Sequence, residues 1–182
     1  MDEMCIQLQS KAIPVNGLEV DELKRVCQKN NIEFINVETS TVWFQNSTLG
    51  SWVTLYFSPS VIEGIVAGVI SAAAYDLLKT AIKHVVNNVR EKLSAANKSK
   101  ETSDIELQSP SAILKIESDQ VSDEMLDKAI DAFVKVSEST ANKEGLPVIP
   151  TFVVIDGDIK ILSQNEYITQ YIIPKKDEAE DT

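Results

Sequence analysis

Apolar residues recur at two periods along the chain, and the switches between those periods divide it into elements. Residues 4–9 alternate weakly and predict a strand, ended by Pro14 and Gly17. Over 20–30 the spacing is helical, with Val20, Leu23, Val26 and Cys27 on one side. Three strands are expected next, over 32–37, 41–45 and 52–57, the last two as a hairpin closed by 46–51. Alternation gives that hairpin two faces. Val42, Phe44, Val53, Leu55 and Phe57 share one face, and Trp43, Gln45, Trp52, Thr54 and Tyr56 share the other.

The strongest helical pattern runs over 61–93, introduced by Pro59 and Ser60. Val61, Ile65, Val69, Ala73, Leu77, Ala81, Val85 and Val89 fall every fourth residue. A helix turns about 100° per residue, so a four-residue repeat drifts by about 40° at each step. One straight helix on one flat surface does not account for such a stripe. Unbroken, it would be about 50 Å long, longer than a domain of this size is wide. The pattern therefore predicts a break, a protruding end or a helix partner from another chain.

The second half alternates more cleanly. A strand is expected over 112–117 and a helix over 122–139, with Ser122 as N-cap and Asp123 and Glu124 in its first turn. Strands over 151–155 and 159–163 flank Asp156-Gly157-Asp158, the clearest hairpin signal in the chain. Residues 165–173 read as a short helix or strand.

Charge adds an asymmetry to this outline. Residues 1–93 hold 8 basic and 10 acidic side chains, and 94–182 hold 9 and 18. The net charge of −11 argues against nonspecific nucleic-acid binding, which needs clustered Lys and Arg, and against an anionic membrane surface. The polar stretch 94–111 reads as a mobile excursion, and 174–182 as a disordered acidic tail. The organisation expected is one α+β domain over 1–173, a mostly antiparallel sheet packed against the long helix and a second amphipathic helix. Hydrophobic residues make up 43% of the chain, enough for a core of that size.

Only 12 uncharged residues, Gly64 to Tyr75, separate Glu63 from Asp76. That is about 18 Å of helix against a hydrocarbon core of about 30 Å, so no stable membrane span is expected. Two cysteines, Cys5 and Cys27, and an acidic N-terminus without an apolar leader point to a reduced, cytoplasmic protein.

Candidate chemistry is sparse. Asp156, Asp158 and Lys160 fit part of a metal-dependent hydrolase motif, although Asp-Gly also supplies the turn a tight hairpin needs. The single histidine, His84, lies on a polar row with Asp76, Thr80, Asn88 and Lys92, and no acid is placed to orient it toward Ser71 or Ser94. No catalytic residue, metal ligand or cofactor site is assigned. Gly64, Gly68 and Ala72 form a small-residue row suited to close helix crossing and are oligomer-interface candidates. Asp123, Asp127 and Asp131, with Glu124 beside them, read as a solvated helix face or a docking surface for a basic protein. Like charges at this spacing cost a few tenths of a kcal/mol per pair. Trp43, Trp52 and Tyr56 read either as a second core layer under the 20–30 helix or as a partner-binding patch.

Gly68-Val69-Ile70-Ser71-Ala72-Ala73-Ala74-Tyr75-Asp76-Leu77-Leu78-Lys79 enters from a hairpin and leads to a strand, a helix and a final hairpin. This stretch resembles small bacterial accessory modules of defence and conflict systems, of the adaptor or effector-associated kind. The resemblance covers about residues 50–163, implies a noncatalytic, protein-binding role and carries over no functional residue. The leading expectation is a noncatalytic protein-interaction module that binds a protein partner and can self-associate. Alternatives are a small hydrolase using Asp156, Asp158 and Lys160, and a membrane-active protein inserting 61–78.

Overall fold

The computed structural model describes residues 3–11, 17–39, 52–96, 104–117, 121–141 and 149–173. In chain order the elements are β1 (Cys5–Lys11), α1 (Gly17–Lys29), β2 (Glu33–Thr39), β3 (Trp52–Phe57), α2 (Pro59–Val66), α3 (Ala72–Ala96) and β4 (Asp104–Gln108). Then follow β5 (Ala112–Ile116), α4 (Asp123–Ala141), β6 (Thr151–Asp156), β7 (Asp158–Leu162), α5 (Gln164–Tyr167) and a π-helical turn, Ile168–Ile172.

Seven strands form one sheet in the order β2-β1-β3-β4-β5-β6-β7. The pairs β1–β2, β3–β4 and β5–β6 are parallel, and β1–β3, β4–β5 and β6–β7 are antiparallel. The sheet is thus mixed rather than mostly antiparallel. The reason is connectivity: each parallel pair is bridged by helix, and a helical crossover returns the chain in the same direction. Strand β1 and strand β5 run the same way, yet the chain steps to opposite sides of them through helices on one face. The two crossovers therefore have opposite hands, which is rare.

All four longer helices lie on one face. That face receives Ile6 and Leu8 from β1, Val53, Leu55 and Phe57 from β3, Leu107 from β4, Leu114 from β5 and Val153 and Ile155 from β6. Against it pack Leu23 and Cys27, Leu78, Ile82 and Val85, and Leu126, Ile130 and Phe133. Phe57 meets Phe133 edge-on at 5.7 Å between ring centroids. Each such side chain contributes about 1.5–3 kcal/mol on burial.

The long apolar stripe is resolved by a break. Pro59 opens α2, and Gly68 closes it with φ of 72°, a conformation that costs glycine nothing. The Ile70 N–H bends back to the Gly64 carbonyl at 2.8 Å. Ser71 then caps α3, its Oγ accepting from the Ala74 N–H at 3.3 Å. Each helix thereby buries its own stripe.

Two further expectations change. Within the stretch read as a mobile excursion, 104–108 forms the central strand β4, held by β3 and β5. Its buried Ile105 and Leu107 alternate with polar residues, a pattern too short to outweigh the surrounding Ser, Lys and Glu. The expected hairpin partner of β3, 41–45, and the turn 46–51 lie outside the described residues, as does the tail 174–182. Strand β3 pairs instead with β1 and β4.

Candidate functional site

The acidic row on α4 finds its partners inside the chain. Asp131 accepts from the Tyr75 hydroxyl at 2.8 Å and from Lys79 at 3.1 Å. One turn along, Lys83 reaches Asp127 at 2.7 Å, and beyond that Asn87 donates to Asp123 at 3.1 Å. Both helices repeat every four residues, so the two antiparallel rows meet in register. Burial pulls the Lys79 ammonium down, and the Asp131 and Asp76 carboxylates more than offset this, so its pKa lies above the ordinary value. Burial, followed by the Asp131 carboxylate, pushes the Tyr75 phenol well up. The like-charge cost of the acidic row is offset by this pairing, and Asp123, Asp127 and Asp131 are committed to α3. Glu124 lies exposed and bridges to Lys128 at 2.7 Å.

The final hairpin places its charged residues in a closed triangle. Lys160 Nζ lies 3.0 Å from Asp156 Oδ2 and donates to the Tyr171 hydroxyl oxygen at 3.0 Å; that hydroxyl donates to the same Asp156 oxygen at 2.9 Å. Hydrogen bonds from Lys160 and Tyr171 hold the Asp156 carboxyl below its usual range. Bonds to Tyr171 and Asp156 raise the Lys160 ammonium. Asp158 serves the turn instead: its Oδ1 accepts from the Ile159 N–H at 2.7 Å. Gly157 supplies the positive φ of 68° there. Among the described residues, no three His, Cys, Asp or Glu side chains gather as a metal site.

Aromatic residues cover the second face of the sheet at this end. Tyr167 stacks on Phe152 at 4.3 Å and on Tyr171 at 5.3 Å, enclosing Val154 and Leu162. Its hydroxyl donates to Glu117 at 2.7 Å. Ser163 starts this cover with a reciprocal capping box to Glu166.

Farther along the same face, no helix is present among the described residues. Paired strands align Ile35, Gln7, Tyr56 and Gln108 in one row and Val37, Gln9, Thr54 and Glu106 in the next. Tyr56 and the backbone of Trp52 belong to this open face, opposite α1. Tyr56 is therefore not part of a second core layer under that helix; the pleat puts Val53, Leu55 and Phe57 there instead, and the Trp52 side chain lies outside the described residues. Trp43 lies outside the described residues.

The small-residue row is dispersed by the helix break. Gly64 is buried, its Cα within reach of Met4 and Ile70, where an added Cβ would stand 3.4 Å from each. Gly68 stands in the turn with open space around it, and Ala72 begins α3 exposed. What the break creates is an uncharged elbow. Val69 at its tip is 73% exposed, Val66 before it 43% and Leu77 on α3 55%. Spacing alone could have raised this corner, since Gly68 interrupts an apolar run that has no charge until Asp76.

Buried serines form a further cluster that sequence reasoning missed. Ser109 and Ser137 hydroxyls lie 2.8 Å apart, and Ser111 donates to the Ser137 carbonyl at 2.7 Å. They tie the β4–β5 turn to α4, the Ser109 Oγ also accepting from the Ala112 N–H at 3.0 Å. His84 is exposed on α3, about 20 Å of helix away from Ser71. Cys5 and Cys27 are free thiols. No helix among the described residues is long and apolar enough to cross a membrane.

Comparison with protein-family models, curated proteins and solved structures finds no match to this chain.

Proposed function

We propose that this chain is a noncatalytic protein-interaction module whose partner docks on the elbow between α2 and α3. The observation that carries the reading is the exposure of Val66, Val69 and Leu77 around a turn with no charged residue between Glu63 and Asp76. Exposed apolar side chains grouped in one stretch favour a protein contact. Their neighbours on α3 and α4 contrast with them, since those charges pair within the chain.

The same pairing weighs against the hydrolase alternative. Asp156 and Lys160 are tied to each other and to Tyr171, and Asp158 serves its own turn. The two free thiols support a reducing, cytoplasmic setting. The resemblance of 68–79 to bacterial accessory modules supports an adaptor role in a defence or conflict system.

Parallel affinity captures with the wild-type chain and Val69→Asp test the reading. A stoichiometric partner present with wild type and lost with the variant is expected. Because Val69 is 73% exposed, the variant keeps its fold. An identical set of partners on both baits would overturn the elbow as the docking site. Titration with Mg²⁺ or Mn²⁺ tests the hydrolase: stoichiometric binding abolished by Asp158→Asn would favour it instead.

A further inference from the structure

Among the described residues the sheet has two edges, β2 and β7, and they are finished differently. Strand β7 is five residues long, turns tightly from β6 and carries the start of the aromatic cover. Strand β2 is seven residues long, Glu33-Phe34-Ile35-Asn36-Val37-Glu38-Thr39, with no proline or lysine to discourage pairing. Its pairing with β1 is parallel and continuous over all seven residues, so it has no bulge. The Glu33 N–H donates to the Met4 carbonyl at 2.8 Å. Main-chain groups alternate sides along a strand, so Glu33, Ile35, Val37 and Thr39 address β1. Phe34, Asn36 and Glu38 turn their N–H and C=O groups outward, away from the sheet.

We infer that β2 pairs antiparallel with β2 of a second copy about a two-fold axis through Asn36, joining two sheets into one. This inference uses the sheet edge and goes beyond the elbow reading. The register follows from the residues. Centring on Asn36 sets Asn36 opposite itself and Phe34 opposite Glu38, so every outward main-chain group of the strand finds a partner. Centring on Ile35 or Val37 leaves part of that row unmatched. Charge agrees with the same choice. In this register Glu33 falls at the position opposite Thr39 and Glu38 at that opposite Phe34, so no acidic position pairs with another acidic position, a pairing that would be destabilising.

The side chains agree as well. On the open face, Ile35 and Val37 are 36% and 38% exposed, beside Gln7 and Gln9 of β1. They are the apolar positions at the border of a polar surface. In the Asn36-centred pair, Ile35 of each copy meets the Val37 position of the other in a non-hydrogen-bonded pair, where side chains approach most closely. Four β-branched side chains then cover one another. Two-fold symmetric pairing is the commonest form of self-association and adds no new unpaired edge at β2.

Sedimentation equilibrium at tens of micromolar, together with amide hydrogen exchange, tests this. The wild-type chain is expected to be a dimer, with the Phe34, Asn36 and Glu38 amides protected more strongly as concentration rises. Asn36→Pro removes one outward donor, a change that an edge strand tolerates when that N–H faces solvent. It should weaken dimerisation by at least about tenfold while the monomer keeps its circular dichroism. Should that variant fail to fold, Val37→Lys serves, since it places an ammonium against Ile35 in both halves. Leu77→Lys on the elbow should leave the dimer intact. A wild-type monomer, an undiminished dimer in Asn36→Pro or Val37→Lys, or amide protection of 34, 36 and 38 that is independent of concentration would each overturn the inference. The last result would mean that the edge is covered within one chain.

Discussion

The two ends of the sheet share one pleat and one core, yet their second faces differ. Toward β7 the outward positions include Ile113, Phe152, Val154 and Leu162, with Lys115 and Lys160 beside them, and α5 with the π-helical turn lays Tyr167 and Tyr171 over the apolar ones. Toward β2 the same rows continue as Gln7, Gln9, Thr54, Tyr56, Glu106 and Gln108, with no helix over them among the described residues. Composition decides cover: apolar outward positions require a lid, whereas amides, hydroxyls and carboxylates remain with water. Exposed apolar residues depart from that rule at the β2 edge (Ile35, Val37), at the elbow (Val66, Val69, Leu77) and near β7 (Ile161, Ile172, Ile173). The β2 edge and the elbow are where contacts with other molecules are expected.

The largest expected effect breaks the covered end. Tyr167→Ala removes the ring stacked on Phe152 and Tyr171 and exposes Val154 and Leu162, for a loss of about 3–5 kcal/mol in urea unfolding. A loss below 1 kcal/mol would mean that the cover is ornamental.

Next comes a contrast between thiols on the two faces. Cys5 is half-buried on the open face, whereas Cys27 is buried in the core. Burial, with Cys5 nearby, pushes the Cys27 thiol from 9.0 up to about 12. Iodoacetamide at pH 8 should label Cys5 first and Cys27 only through unfolding. In the unfolded chain Cys27 ionises near 9.0, so the folded state binds more protons above that pH. Its stabilising contribution is therefore complete below pH 9.0 and declines as pH rises toward 12. Cys27→Ala should flatten that alkaline decline in the unfolding free energy.

A smaller change probes the triangle at the covered end. Tyr171→Phe loses hydrogen bonds to Asp156 and from Lys160, costing about 0.5–1.5 kcal/mol. The Asp156 carboxyl, held below its ordinary 3.8, should move back toward it in an NMR titration. The sign is that of a depressed acid: its contribution is present above 3.8 and is lost as pH falls through the folded value. The variant should thus lose less stability than wild type on acidification. Smallest of all, Tyr56→Ser on the open face should stay within about 1 kcal/mol of wild type, measured by the same urea titration.

Much of this architecture was legible in the sequence. Ser122 caps α4, with its Oγ accepting from Met125, and Leu126, Ala129, Ile130 and Phe133 form the buried face that their spacing predicts. The drifting stripe left a break as one of three outcomes, beside a protruding end and a helix partner, and it did not single out Gly68 as the pivot, because glycine is also compatible with close helix packing. Strand direction was the main failure. Alternation reports which face a residue occupies and is blind to whether its neighbour runs parallel or antiparallel. The acidic row on α4 was visible, but its register with Tyr75, Lys79, Lys83 and Asn87 depends on how two distant helices pack. The serine cluster was hidden for the same reason, since Ser137 joins Ser109 and Ser111 only after α4 folds back over the β4–β5 turn.

Site-specific photocrosslinking in cells tests the docking claim most directly, with a benzophenone amino acid placed in turn at Val69 and at His84. Both positions are exposed, but only the first lies on the apolar elbow. A discrete protein adduct at position 69, absent at position 84 and competed by excess unlabelled chain, is the predicted result. Adducts no stronger at 69 than at 84 would contradict it.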